Sequence, residues 1–182
     1  MSEFNFTIEQ GSSLKLATAG KYCNKDIIVT TDDALDKFLS GMSTTLKSNA
    51  QSVCQYACYR NTSITDLVLP NASTIGDYSF SECSALVSAS LPQLQTMGVR
   101  IFAQSAALES VELPIVKYIN EHSFNGCSKL KTVNLPVATK LYKYAFNACS
   151  LLENVIAPNV ALIYNRVFYS CTNLLEVNAP KL

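Results

Sequence analysis

Charge is scarce in this 182-residue chain: Asp, Glu, Lys and Arg make up 15%, and they cancel to a formal net charge of +0. No long-range field therefore draws it to nucleic acid or to an acidic membrane, and no run of Lys or Arg adds a local one. Long apolar runs are lacking too, and no stretch approaches the length of a membrane span. The N-terminus, MSEFNFTIEQ, has acid and polar residues early, where a secretory signal carries a basic start and an apolar run. Histidine occurs once, at His122. There is no phosphate loop, no G-x-S-x-G and no metal-ligand helix. The cysteines number seven, and an odd count argues against a complete disulfide framework. Apolar residues, by contrast, make up 48%, which fits a folded, well-buried chain. The length allows one domain of ordinary size, with or without a small appendage.

The order of the residues says more than their proportions. The six prolines are Pro70, Pro92, Pro114, Pro136, Pro158 and Pro180, each 22 residues after the last. Twelve before them stand Cys58, Phe80, Phe102, Phe124, Phe146 and Phe168. Nine before stand Asn61, Cys83, Ser105, Cys127, Cys149 and Cys171. Six before, every residue is Ile or Leu, from Ile64 to Leu174; three before stand Leu67, Ala89, Val111, Val133, Val155 and Val177. One before are four leucines and then Ala157 and Ala179; five after the first five prolines stand Ile75, Met97, Ile119, Leu141 and Ile163. A partial match continues upstream through Ala50, Val53 and Tyr56.

A single 22-residue unit cannot bury its own apolar face, whereas stacked copies turn each column into an internal stripe. The columns three and one before proline are two apart, the spacing of inward residues on a strand. Proline then ends the strand, because it donates no backbone hydrogen bond and restricts its predecessor. Each copy is thus one coil of a solenoid. Six after proline come Gly76, Gly98, Asn120, Tyr142 and Tyr164; glycine and asparagine there suggest a left-handed turn residue, which the tyrosines interrupt.

The run LPNASTIGDYSFSECSALVSASLP resembles the BspA-like subclass of bacterial leucine-rich repeats, over about 48–182. The resemblance implies a curved right-handed solenoid with a parallel β-sheet on the concave side and a mostly irregular convex side. It also implies binding or adhesion, not catalysis. Cys58 in the phenylalanine column and Ser105 in the cysteine column depart from the pattern.

Residues 1–47 do not fit the repeat. FNFTIEQ and DIIVTT are short and rich in β-formers, and AGKYCNKD between them reads as a turn, giving a small β-hairpin. DDALDKFLSGM then reads as a helix, with Asp32 or Asp33 as N-cap, apolar Ala34, Leu35, Phe38, Leu39 and Met42 at helical spacing, and Gly41 at its end. We read 1–47 as a segment that caps the first coil or attaches the solenoid to another protein, and 48–182 as the solenoid of six 22-residue repeats. The phrase LKLATAGKYCNKDIIVTTDD resembles N-terminal segments of phage and prophage tail-associated proteins.

Candidate chemistry is thin. Cys83, Cys127, Cys149 and Cys171 share one column, but stacked side chains point the same way, which suits neither a disulfide nor the converging ligands of zinc. Buried cysteine as a small apolar residue is the simpler reading. Cys54 and Cys58 form a C-x-x-x-C pair, but Cys58 falls in the inward column. His122 shares a column with Tyr78, Arg100, Tyr144 and Arg166, a partly exposed convex position without an orienting carboxylate. No metal and no cofactor is called for.

The binding candidates are the outward positions of the concave strands, four and two before each proline. They are Asp66 with Val68, Ser88 with Ser90, Ser110 with Glu112, Thr132 with Asn134, Asn154 with Ile156, and Glu176 with Asn178. A solvated sheet face is the plain reading; a shallow, slightly acidic surface for protein or glycan is the functional one. Lack of aromatics there weakens the case for sugar stacking and for a protein hot spot.

The sequence therefore reads as a non-catalytic binding or structural module. The N-terminal resemblance and the missing signal favour a phage or prophage virion component. The alternative is a fragment of a bacterial cell-surface adhesin, and an enzyme has no supporting constellation. No polar capping coil follows Pro180, so the last strand is expected to offer an open edge, suited to a second copy of the chain.

Overall fold

The computed structural model describes residues 13–14, 45–47, 50–62 and 64–182. The hairpin and helix expected in the N-terminal segment lie outside the described residues. Two kinds of strand alternate along the chain. The two-residue strands are β1 Ser13–Leu14, β3 Ser52–Val53, β5 Thr74–Ile75, β7 Thr96–Met97, β9 Tyr118–Ile119, β11 Lys140–Leu141 and β13 Leu162–Ile163. The three-residue strands are β2 Thr45–Lys47, β4 Asp66–Val68, β6 Ser88–Ser90, β8 Ser110–Glu112, β10 Thr132–Asn134, β12 Asn154–Ile156 and β14 Glu176–Asn178.

All pairings are parallel. Within the repeat, paired strands are copies one coil apart, as in Asp66↔Ser88 and Thr132↔Asn154. The result is a right-handed solenoid with the three-residue ladder on its concave side. The two-residue ladder was not foreseen from the sequence. It forms because the inward residue five after each proline brings its outward predecessor into extended backbone, as in the exposed-then-buried pairs Thr74–Ile75 and Thr96–Met97. Two strands of the N-terminal segment also join in: β1 pairs with β3, and β2 with β4.

The inward columns are the core. Phe80, Phe102, Phe124 and Phe146 are fully buried, and their rings stack on one another and on Phe168 with centroids 5.1–5.8 Å apart. Cys58 is buried in the same column. In the cysteine column, the Cys83, Cys127, Cys149 and Cys171 thiols each donate to a backbone carbonyl of the preceding coil, at 3.0–3.1 Å. Ser105 donates its hydroxyl in the same way, to Phe80 O at 2.8 Å. The serine keeps the hydrogen bond that the column makes, so that departure is conservative in chemistry.

The convex arc corrects one expectation. Gly76 and Gly98 do not take a left-handed conformation; the left-handed residues are elsewhere, eight and twelve after proline. Tyr78, Arg100, His122, Tyr144 and Arg166 have φ between 55° and 58°, and Glu82, Gln104, Gly126, Ala148 and Ser170 between 57° and 78°. These turns aim alternate N–H groups at the next coil: Tyr78 N donates to Val99 O, Phe80 N to Ile101 O and Glu82 N to Ala103 O, at 2.7–3.0 Å. Such inter-coil bonds offset the roughly 1–2 kcal/mol that each left-handed residue costs. Gly76 and Gly98 serve close approach instead. A Cβ on Gly76 would lie 2.5 Å from Gln55 N.

Both ladders break at the same level. Counting coils by their closing prolines, β8 and β7 of coil 3 do not pair with β10 and β9 of coil 4. Elsewhere the residue six after proline donates its N–H to the previous coil: Gly98 to Ile75 O, Tyr142 to Ile119 O and Tyr164 to Leu141 O, at 2.8–2.9 Å. At coil 4 the Asn120 side chain takes over, its Nδ2 donating to Met97 O at 2.5 Å. Asn120 is the first residue of this column that is not glycine, and its side chain makes the bond that the backbone makes at Gly98, Tyr142 and Tyr164. The convex arc stays closed, with Phe102 N bonded to Ser123 O at 2.9 Å.

Candidate interaction face

The concave strands present their outer residues in two rows, because alternate side chains of a strand point to opposite faces. Asp66, Ser88 and Ser110 form one row of the first three coils, with Val68, Ser90 and Glu112 beside it. Thr132, Asn154 and Glu176 form the matching row of the last three, with Asn134, Ile156 and Asn178 beside it. The ladder break separates the two halves. The structure thus puts all ten polar candidates on one face, in two groups.

The halves differ in how far their polar groups are already used. Ser88 Oγ donates to Asp66 Oδ1 at 2.5 Å and Thr65 Oγ1 to Asp66 Oδ2 at 2.7 Å. Ser90 Oγ donates to Glu112 Oε2 at 2.7 Å. Those carboxylates are partnered within the chain. In the second half Thr132, Asn134, Glu176 and Asn178 are exposed and Asn154 half-buried. No side-chain hydrogen bond within the chain engages any of these five among the described residues. Ile156, 42% exposed, stands between Asn134 and Asn178. An apolar side chain flanked by free amides is the better-equipped part of the face for holding another chain.

The other candidates fall into place. Burial pushes the Cys83 thiol up to about 12 and raises those of Cys58 and Cys127. Thiols held protonated in this way are poor nucleophiles and poor metal ligands. Cys54 is disulfide-bonded and Cys58 is free, so the two do not bond each other. His122 is half-buried and stacked on Tyr144, with centroids 4.8 Å apart. Burial, and then the Arg100 charge, hold its pKa below the ordinary histidine range. Its Nδ1 has no hydrogen-bond partner, so nothing orients it as a catalytic base.

Sequence reasoning missed the surface beside the two-residue ladder. There Tyr118 is 45% exposed, and Tyr142 and Tyr164 stack at 4.9 Å. Its signal lies in the column that begins as glycine at Gly76 and ends as tyrosine at Tyr164.

The family model for the BspA type leucine rich repeat region matches residues 51–175, in six copies. The chain is similar in structure to a leucine rich cell surface protein from Faecalibacterium prausnitzii A2-165, with a TM-score of 0.59 and 22% identity over 74% of this chain and 33% of that one. A leucine-rich repeat protein from Eubacterium ventriosum gives a TM-score of 0.58 and 17% identity, over 78% of this chain and 45% of that one. The leucine-rich repeat protein of T. pallidum gives 0.52 and 22%, over 74% and 78%. The chain therefore spans less than half the length of the first two, and at these identities the likeness is one of fold. No curated protein matches the chain.

Proposed function

Because the chain belongs to the BspA-type leucine-rich-repeat family, we propose that it is a non-catalytic binding module that holds a protein partner on its concave face. The observation that carries this is the second half of that face, where Thr132, Asn134, Asn154, Glu176 and Asn178 surround exposed Ile156 with their polar groups unused. The test is a double substitution, Glu112→Lys with Asn134→Lys, on the full chain. Immobilised bacterial-envelope and extracellular proteins supply the partner. The variant should lose at least about tenfold in affinity, or about 1.4 kcal/mol, with no fall in melting temperature. Unchanged affinity would move the site off this face.

Two settings fit such a module. The cell-surface protein from F. prausnitzii supports a bacterial surface, and the N-terminal resemblance supports a virion. Tail genes beside the coding sequence favour the virion, and a sortase or export signal the surface. Residues 1–47 act in this proposal as the cap or attachment segment of a 48–182 solenoid; β1 and β2, which extend both ladders past the first full coil, support it. Self-association belongs here as well. Phe168, Leu174 and Val177 are only partly buried on the last coil, and a second copy would cover them. Light scattering at micromolar concentration should show a dimer, and a monomer would exclude it.

A further inference from the structure

We propose that the gap in the two-residue ladder between coils 3 and 4 is a binding site for an acidic saccharide, a sugar bearing a carboxylate. It is a different surface from the concave face and does not depend on the function proposed there.

The gap leaves unused backbone groups. Thr96 N donates to Ser73 O and Thr139 N to Lys117 O, at 3.0 and 2.9 Å. The corresponding bonds from Lys117 N and Tyr118 N to Gln95 O are absent among the described residues, as is one from Asn120 N to Met97 O. A cleft of about 500 Å³ opens at this place, lined by Gln95, Met97, Ile115, Lys117, Tyr118 and Asn120 among others. That volume falls within the range of small-ligand sites, about 300–1,000 Å³. At the cleft, the bond from Asn120 Nδ2 to Met97 O stands in place of the backbone bond that the other coils make.

The lining has the chemistry of sugar recognition. Free N–H groups, the Gln95 amide and Asn120 Oδ1 suit hydroxyls, which both donate and accept. The exposed ring of Tyr118 offers an apolar face with a polar rim. Tyr142 meets it edge-on at 6.4 Å and stacks on Tyr164, so the aromatic surface continues over two more coils. Charge selects the acid. Lys140 Nζ lies 5.7 Å from the Tyr118 ring centroid, and Lys117 lines the cleft. Neither lysine is in an ion pair among the described residues. These cations lie beside the two-residue ladder, whereas Asp66, Glu112 and Glu176 stand on the concave one. A hydrophobic peptide would need a long apolar groove, and the lining is mixed.

The test is isothermal titration of the full chain with sialyllactose and trigalacturonate, with lactose as the neutral control and poly-glutamate as the acidic peptide. At least one acidic saccharide should bind saturably and at least about tenfold more tightly than lactose. Tyr118→Ala and Lys117→Ala should each weaken it about tenfold at unchanged melting temperature. Asn120→Gly, which removes the Oδ1 acceptor from the lining, should also weaken binding. Binding that survives the Tyr118 and Lys117 substitutions overturns the location. Equal binding of lactose overturns the role of charge. Binding of poly-glutamate alone makes the surface a protein site, and no binding by either saccharide overturns the proposal.

Discussion

Phe124→Ala should lower stability by about 3–5 kcal/mol, the usual cost of removing a buried phenyl ring. Phe124 is fully buried, between Phe102 at 5.5 Å and Phe146 at 5.1 Å. Its loss removes two stacked contacts and leaves a void that neighbours cannot fill, because each is fixed by its own coil. A domain of ordinary stability has only about 5–15 kcal/mol to lose. For a chain of this size the melting temperature should fall by roughly 6–20 °C. In a stack where each coil touches only its neighbours, the transition should also broaden. Ser110→Ala, on the exposed side of β8, should cost under about 0.5 kcal/mol. Similar melting curves for the two variants would mean that the phenylalanine column is not the spine of the stack.

The contrast between those two residues was legible in the sequence, and the reason is the period. A constant 22-residue spacing puts equivalent residues at equivalent depths, so repetition reveals burial without any other information. Up to the last coil, where Phe168, Leu174 and Val177 are partly buried, the phenylalanine, leucine and strand columns are buried as the spacing implies, and the concave strands end two residues before each proline, as from Asp66–Val68 to Glu176–Asn178. Val111 is an exception: it is only partly buried, beside the ladder break. The convex side was not legible. Its left-handed positions hold mostly Tyr, Arg, Glu, Gln and Ala, types with no turn signature of their own, and Gly126 and Ser170 are too few to mark the column. Bonds between coils impose that conformation, and those bonds exist only once the stack has formed. The break after coil 3 was hidden for a related reason. The spacing does not change there; a single column passes from Gly98 to Asn120. The ten concave candidates were legible as a face, but their division into a used and an unused half depends on which hydroxyls reach Asp66 and Glu112. Side-chain reach across coils is not written in any one repeat.

Gly98→Ala should destabilise the protein by about 1–3 kcal/mol, the usual range for forcing extra atoms into a packed site. The new Cβ would lie 2.5 Å from Asp77 N and 2.7 Å from Gly76 C, and closer still to Asp77 Oδ1. Backbone atoms cannot swing aside as a side chain does, and Asp77 Oδ1 is held by Val99 N at 2.8 Å. Replacing glycine also stiffens the unfolded chain, which stabilises by about 0.4–1 kcal/mol, so the steric term wins. Gly126→Ala is the informative partner. Gly126 has φ 78°, where glycine is ordinarily preferred, so conformation alone makes it the worse site. The atoms nearest its added Cβ, however, all belong to the exposed Gln104 side chain, which can move. Ala148 already holds the equivalent position one coil on, at φ 57°. Packing between coils therefore predicts that Gly98→Ala lowers the melting temperature more than Gly126→Ala does. The reverse order in thermal denaturation would show that turn conformation, not the approach of one coil to the next, governs glycine in this stack.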